Sequence, residues 1–207
     1  MSLRCKPPYT GITGWLHLLA ITLLLAGCGQ HAAKAPLPLS EAAIPDDWQL
    51  KGKLGIRSSA QNGSVTIRWQ QQLEQYRINV SGPFGQGAAA IEGNRQQASI
   101  EQPGKETLVS YTPEHLFNHS FGWSFPIEHL RYWVRGLQNP QHQATPTYNT
   151  DNTLATLQQA GWSLHFDRYQ QQQHWMLPGR VKATRDDVAL TLLIRHWTLT
   201  PPRVFAH

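Results

Sequence analysis

From Trp48 onward the chain alternates between apolar and polar residues with a period of two. Trp48, Leu50, Leu54 and Ile56 share one parity, and Lys51, Lys53 and Arg57 the other. Val65, Ile67 and Trp69 alternate with Thr66 and Arg68, and Tyr76, Ile78 and Val80 with Arg77 and Asn79. The pattern returns late in the chain. There Trp162, Leu164 and Phe166 alternate with Ser163, His165 and Asp167, and Val188, Leu190, Leu192 and Ile194 run on to Trp197. A period of two puts the apolar side chains on one face of each strand, as in antiparallel sheets with one covered face. The connections agree: Asn62-Gly63 is a hairpin signal, and residues 70–75 are polar. Weaker strands are expected at 88–93, 97–101 and 107–111, divided by Gly93-Asn94 and Pro103-Gly104, with another around Val181 and Ala183.

Two helical pieces interrupt the strands. Thr112 is placed to cap the first, with Pro113 at its first position, Glu114 next, and Leu116 and Phe117 facing inward. The second starts near Pro126. Ile127, Leu130, Val134 and Leu137 fall at helical spacing with Trp133 beside them, and Gly136 is placed to end it. Residues 138–152, rich in Pro, Gln, Asn and Thr, are expected to form a long loop, and residues 170–173 a polar turn. The pattern therefore predicts a mainly β fold: one curved antiparallel sheet of about nine strands with two short helices. An apolar sheet face must be covered, and two short helices are little cover for it. Either the sheet curls into a barrel with a packed interior, or it leaves a lined hollow that the helices plug. Periodicity does not separate these.

The first 47 residues are different. Arg4 and Lys6 precede an apolar run over residues 15–25, followed by Ala26-Gly27-Cys28. A basic start, a short apolar run and small residues make a secretory signal peptide, here residues 1–27. The run falls short of the roughly 20 apolar residues that span a membrane. Leu25-Ala26-Gly27-Cys28 resembles the lipobox of bacterial lipoproteins. That resemblance implies cleavage before Cys28, which then carries an S-diacylglycerol and an N-palmitoyl group. The alternative is an ordinary leader with Cys28 incidental. Residues 28–47 read as the lipidated cysteine and a tether containing Pro36, Pro38 and Pro45. A flexible coil of the 19 residues after Cys28 spans about 25 Å on average. Residues 48–207 form the globular domain.

Composition narrows the function. The net charge is +5 for the full chain and +3 once Arg4 and Lys6 leave with the leader. No Lys/Arg block is present, so nucleic acid is not an expected partner. Of the two cysteines, Cys5 lies in the leader, so the exported domain has no pair and must be stabilised by packing. Seven of the eight tryptophans follow the leader, which points to a wide apolar interior or binding surface. No Gly-x-Ser-x-Gly and no phosphate-cradling loop occurs. His115 and His119 stand four apart on a candidate helix, yet no third ligand is spaced nearby, and they read as surface residues. Asp186-Asp187 reads as a hairpin turn. No catalytic residues, metal or cofactor are expected.

Gly82-Pro83-Phe84-Gly85-Gln86-Gly87 stands between two strands. Pro83 suits the second position of a type I turn and Gly85 the fourth, which puts Phe84 at the tip. A bulky apolar tip is unusual, because turn tips are normally polar. Phe84 either folds back onto its own sheet or stands out as an apolar tip that meets lipid.

Over nearly the whole exported domain the chain resembles the LolB family, outer-membrane receptors of the bacterial lipoprotein-sorting pathway. The residues that carry the resemblance are Leu50-Lys51-Gly52-Lys53-Leu54-Gly55-Ile56-Arg57, Trp69-Gln70, Tyr76, Ile78 and Val80 leading into Gly82-Pro83-Phe84-Gly85, then Pro126, Leu130, Trp133 and Gly136-Leu137. Gly161-Trp162, Tyr169, Leu177-Pro178 and Leu190-Thr191-Leu192 with Trp197 complete it. The family usually has Leu where this chain has Phe84.

The resemblance implies a half-open antiparallel β-barrel whose helices plug an apolar cavity. It also implies a monomeric lipoprotein at the periplasmic side of the outer membrane. Such a protein takes acylated lipoprotein cargo from the carrier LolA and places it among the outer-membrane phospholipid of the inner leaflet, without nucleotide. Gly82, Pro83, Phe84 and Gly85 become the membrane-insertion loop. Gly29 after Cys28 suits outer-membrane sorting. The apolar parities supply the cavity lining: Leu54, Ile56, Ile67, Trp69, Tyr76, Ile78, Val80, Trp133, Leu164, Phe166, Leu190, Leu192 and Ile194. The competing reading is a structural or assembly lipoprotein of the outer membrane with a packed barrel.

Overall fold

The computed structural model describes residues 44–59, 62–111, 113–121 and 126–200. The leader, Cys28, most of the tether, Thr112 and the Phe117 side chain lie outside them. The described strands are β1 (Trp48–Arg57), β2 (Asn62–Gln72), β3 (Gln75–Ser81), β4 (Ala89–Gly93), β5 (Ala98–Glu101), β6 (Leu108–Ser110), β7 (Ala144–Tyr148), β8 (Leu154–Gln159), β9 (Trp162–Asp167), β10 (Gln170–Gln172), β11 (Trp175–Leu177), β12 (Arg180–Arg185) and β13 (Val188–Leu199). Between β6 and β7 stand helices α1 (Pro113–Phe121) and α2 (Ile127–Trp133).

Eleven strands join in one antiparallel sheet ordered β6-β5-β4-β3-β2-β1-β13-β12-β9-β8-β7, and β10 and β11 make a separate hairpin. The first strand and the last pair at its centre, and the sheet stays open because β6 and β7 are its two edges. Both edges are blunt. β6 has three residues, and β7 carries Pro146, which has no N–H to offer a further strand.

The register turns the period-two pattern into continuous rows. On the inner face Ile100, Ile91, Ile78, Trp69, Leu50 and Trp197 lie side by side across six strands. A second row joins Ile56, Leu190, Ala183, Leu164 and Leu157. All of these are buried. Trp48 packs against Trp69 and Trp197 with ring centroids 5.2 and 5.5 Å apart, which closes the centre of this face. At Gly52 the β1–β13 register shifts, and a Cβ there would collide with the Leu193 carbonyl oxygen, so only glycine fits.

Two segments differ from the sequence expectation. Residues 138–152 are not one loop, because they contain β7. As an exposed edge strand it needs no apolar alternation, so its Thr-Pro-Thr sequence hides it. Residues 170–173 include β10, whose three glutamines pair with Trp175–Leu177.

α2 lies on the inner face of the sheet. Pro126 precedes it, and Ile127, Leu130 and Trp133 are buried. Gly136, at φ 74°, ends it: the Gly136 and Leu137 N–H groups donate to the carbonyls of Trp133 and Tyr132. Polar groups fix the helix to β8. Gln159, itself buried, accepts from Trp133 Nε1 at 2.8 Å and from the Asn139 N–H at 2.9 Å. It donates to the carbonyls of Asn139 and His142. His129 stacks on Trp133 and meets His142 edge-on at 4.6 Å.

The proton state of His129 follows from its neighbours. Asn139 Oδ1 accepts from the Gln141 N–H, which turns Nδ2 of Asn139 toward His129 Nδ1 at 3.3 Å. That contact needs an unprotonated Nδ1. Burial, and then the nearby His142, push the His129 pKa down to about 4. The native state thus favours neutral His129, while the unfolded chain takes up a proton near pH 6.5. This contribution to stability is complete above about pH 6.5 and is lost as pH falls toward 4. The urea midpoint of the wild type is expected to fall over that window more steeply than that of His129→Gln. Equal slopes would show that His129 takes up its proton over the same pH range in the folded and the unfolded chain, against the neutral state argued from its neighbours.

Candidate functional site

Two features of the described residues have no role in the sheet's own pairing: the inner apolar face under α2, and the turn after β3. The inner face is built by alternation, since every second residue of the central strands points to the same side. Of the residues expected to line a cavity, Val80 is half-buried and the other twelve are buried. Among the described residues, five of them border one void. Leu54, Ile67, Trp69, Leu190 and Leu192 surround a closed apolar void together with Val181, Ala183, Leu130 and Val134. Ile56, Tyr76, Ile78, Leu164, Phe166 and Ile194 pack elsewhere in the same core, and Trp133 belongs to α2 itself.

The void measures about 20 Å³. That is room for about one water, whereas ligand pockets are roughly 300–1,000 Å³. Between α2 and these central strands the inner face is therefore filled, and Leu130 and Val134 of the α2 segment do the filling. Both residues were visible in the sequence at helical spacing, but nothing there placed them over Leu54 and Leu192.

Around this apolar seal, α2 is held by charge. Arg131 Nη1 bonds Glu74 at 2.9 Å, on the β2–β3 turn, and its Nη2 donates to the Tyr132 hydroxyl. Arg135, just past the helix, is buried with 3% of its side chain exposed. It donates to the Pro45 carbonyl at 3.1 Å, to Asp46 Oδ1 at 3.0 Å and to the Arg131 carbonyl. Burial lowers the Arg135 pKa from its ordinary value, and Asp46 opposes that shift. Breaking such a buried contact leaves an uncompensated charge. Ile44 and Pro45, at the end of the stretch read as a tether, are themselves buried. The chain that leads out of the domain is thus clamped to the helix that covers its inner face. Arg135, Asp46 and Gln159 carry no motif, and the sequence reading missed them.

The turn after β3 is closed by three backbone hydrogen bonds: Gly82 N to Gln86 O, Gly85 N to Gly82 O, and Gln86 N to Pro83 O. It is not the expected type I turn. Phe84 sits at φ 56°, ψ 23°, whereas that position of a type I turn has a negative φ. The side chain does not fold back, and its relative exposure is 103%. An aromatic residue in the left-handed region costs about 1–2 kcal/mol relative to a residue at ease there. Exposure returns none of that through packing.

Other expected sites resolve simply. His115 and His119 are both exposed on α1. Among the described residues no group of three or more His, Cys, Asp or Glu is placed to hold a metal ion, and no helix is long and apolar enough to cross a membrane. The lipid-attachment residue Cys28 lies outside the described residues.

Comparison with known proteins meets this geometry. The sequence pattern of the family "Outer membrane lipoprotein LolB" matches residues 46–197. An outer-membrane lipoprotein LolB from Pseudomonas fluorescens is 40% identical over 185 residues, covering 84% of this chain and 90% of its own. Another, from Stutzerimonas stutzeri, is 34% identical over 194 residues, covering 87% and 94%. Among solved structures, a LolA superfamily protein from Nitrosomonas europaea covers 81% of this chain and 94% of its own, with a TM-score of 0.45 and 10% identity. The match spans β1 through most of β13, including α2 and the Phe84 turn, and the chain belongs to the LolB family of outer-membrane lipoproteins.

Proposed function

We propose that this protein is a lipoprotein receptor at the periplasmic face of the outer membrane, held there by lipid on Cys28. It accepts acylated lipoproteins from the carrier LolA and releases them into the inner leaflet, without catalysis and without nucleotide. The observation that carries the proposal is the wide apolar inner face, covered at its centre by the short α2 segment, with α1 packed against β5 and β6, rather than by a second sheet.

Magnitudes support exchange between helix and cargo. Ile127, Leu130, Trp133, Val134 and Leu137 are the buried apolar residues of the α2 segment. At about 1.5–3 kcal/mol each, uncovering them costs on the order of 10 kcal/mol. A long acyl chain gains roughly 0.8 kcal/mol per CH₂, again on the order of 10 kcal/mol. Cargo can thus replace the helix, and the helix can return when cargo leaves. With no nucleotide, direction comes from differences in affinity between successive sites.

The second reading, a structural or assembly lipoprotein, is favoured by the small residual void. Transfer separates the two. The chain from residue 28 with Cys28→Ala, mixed with LolA carrying an acylated lipoprotein, is expected to take the cargo. Leu130→Ala should lower the stability of the fold by about 2–5 kcal/mol and raise cargo uptake. A packed structural barrel shows the same destabilisation and no uptake in either form.

Phe84 is the release element in this proposal. A strained, fully exposed aromatic has no structural return, and strain of this kind collects at functional sites. Phe84→Asn, at ease in the left-handed region, is expected to stabilise the fold by about 1 kcal/mol. It should accept cargo normally but lose delivery into liposomes. Unchanged delivery would remove Phe84 from the mechanism.

A further inference from the structure

The outer face of the sheet carries a charge pattern that neither folding nor cargo binding uses. The register sets Arg68, Lys51 and His196 side by side on β2, β1 and β13. Lys53 follows two residues along β1. At the β1–β13 irregularity beside Lys51 an extra residue enters β13, and Arg195 and His196 are both exposed there. Like charges directly opposite one another destabilise a sheet.

Six cations elsewhere among the described residues have acidic partners, Arg185 with Asp186 among them, while Arg57, Lys105, Arg168, Lys182 and Arg195 have none. Arg77 pairs with Glu92, Arg95 and Arg131 with Glu74, Arg135 with Asp46, and Arg180 with Asp167. Among the described residues Lys51, Lys53 and Arg68 have none. On this face the acids in the same rows are Glu101 for Arg68 and Asp167 for Lys53, each three strands away, and Asp167 is paired with Arg180. At about 4.8 Å per strand that separates each pair of backbones by roughly 14 Å.

The cluster is continuous with the Phe84 turn. Lys53, Thr66 and Ser81 form one row across β1, β2 and β3, and Ser81 runs directly into Gly82-Pro83-Phe84. Beside that row a groove of about 440 Å³ opens on the outer face. Thr66, Asn79, Ser81, Ala88 and Ala90 line it, with Arg68 as its one cation and Glu101 as its one acid.

We propose that Lys51, Lys53 and Arg68 form a docking face for the phosphates of an anionic lipid bilayer, placed so that it engages as Phe84 enters the apolar layer. This rests on reading Phe84 as the membrane-contacting tip. The occupant follows from charge and continuity: unpaired cations next to an exposed apolar side chain match a surface that has phosphate above hydrocarbon. The face orients the domain, whereas the tether only keeps it near the membrane.

The test uses the chain from residue 28 with Cys28→Ala, which contains the whole core cluster from Ile44 to Leu199. Its binding is measured by co-sedimentation with vesicles of phosphatidylcholine alone and of phosphatidylcholine mixed with phosphatidylglycerol. Each cation near an anionic surface contributes about fivefold, so the triple variant Lys51→Gln, Lys53→Gln, Arg68→Gln should lose on the order of 100-fold on the mixed vesicles. On phosphatidylcholine it should bind as the parent does. Relief of like-charge repulsion should leave its melting temperature equal or higher, and a clear drop would make the cations structural and overturn the proposal. Phe84→Asn should lose binding to both vesicles. If it does and the triple variant binds the mixed vesicles as the parent does, the docking face is wrong while the tip reading stands. If Phe84→Asn binds both normally, the tip reading fails, and the triple variant alone decides for or against the cations. Normal vesicle binding with lost uptake from LolA would reassign the face to an acidic protein and overturn the lipid proposal.

Discussion

An open sheet with a wide apolar inner face must keep that face from water, and in this protein α2 and the turn after it cover its centre. The rest of the structure depends on that constraint. Pairing the first strand with the last puts the broadest apolar rows in the middle of the sheet, where Leu54, Trp69 and Leu192 meet Leu130 and Val134. At Leu130 and Val134 the seal leaves a void of only about 20 Å³. It is also a seal made of few residues. The free energy that holds it is of the same order as the burial of one acyl chain.

What locates the seal is polar. Gln159 satisfies the Trp133 indole and the Asn139 backbone, Arg131 reaches Glu74, and Arg135 gathers Pro45 and Asp46. Apolar packing has no direction, whereas these bonds fix the helix to one position and to three parts of the chain. One of those parts leads back to the stretch read as a tether.

The sheet was legible because a strand covered on one side must alternate, and β1, β2, β3 and β9 do so at their buried positions. So does β13, apart from the one change of parity where Arg195 enters as an extra residue. β7 was illegible for the same reason in reverse. An edge strand with little burial has no pattern to show, and Thr145-Pro146-Thr147 reads as loop. The helix pieces were legible from Pro113, Pro126 and Gly136, which act locally. The filling of the inner face was not, since it depends on which helix residues meet which strands, and no local rule sets that. Phe84 could be placed at a turn from its neighbours, but its left-handed backbone and full exposure are properties of the folded loop. Arg135 illustrates the limit. Its partners lie about 90 residues earlier in the chain, and nothing near it in sequence announces them.

Phe84 and Leu130 represent the two halves of the account, an apolar group kept out of the core and one kept in it so that cargo can displace it. Uptake and release of cargo both rest on the displacement of Leu130. Its most direct measurement is electron density from crystals grown with a palmitoylated peptide. The account predicts an acyl chain against Leu54, Trp69, Ala183 and Leu192, with α2 moved off the sheet. An acyl chain bound elsewhere, with Leu130 and Val134 still seated over those residues, would contradict it.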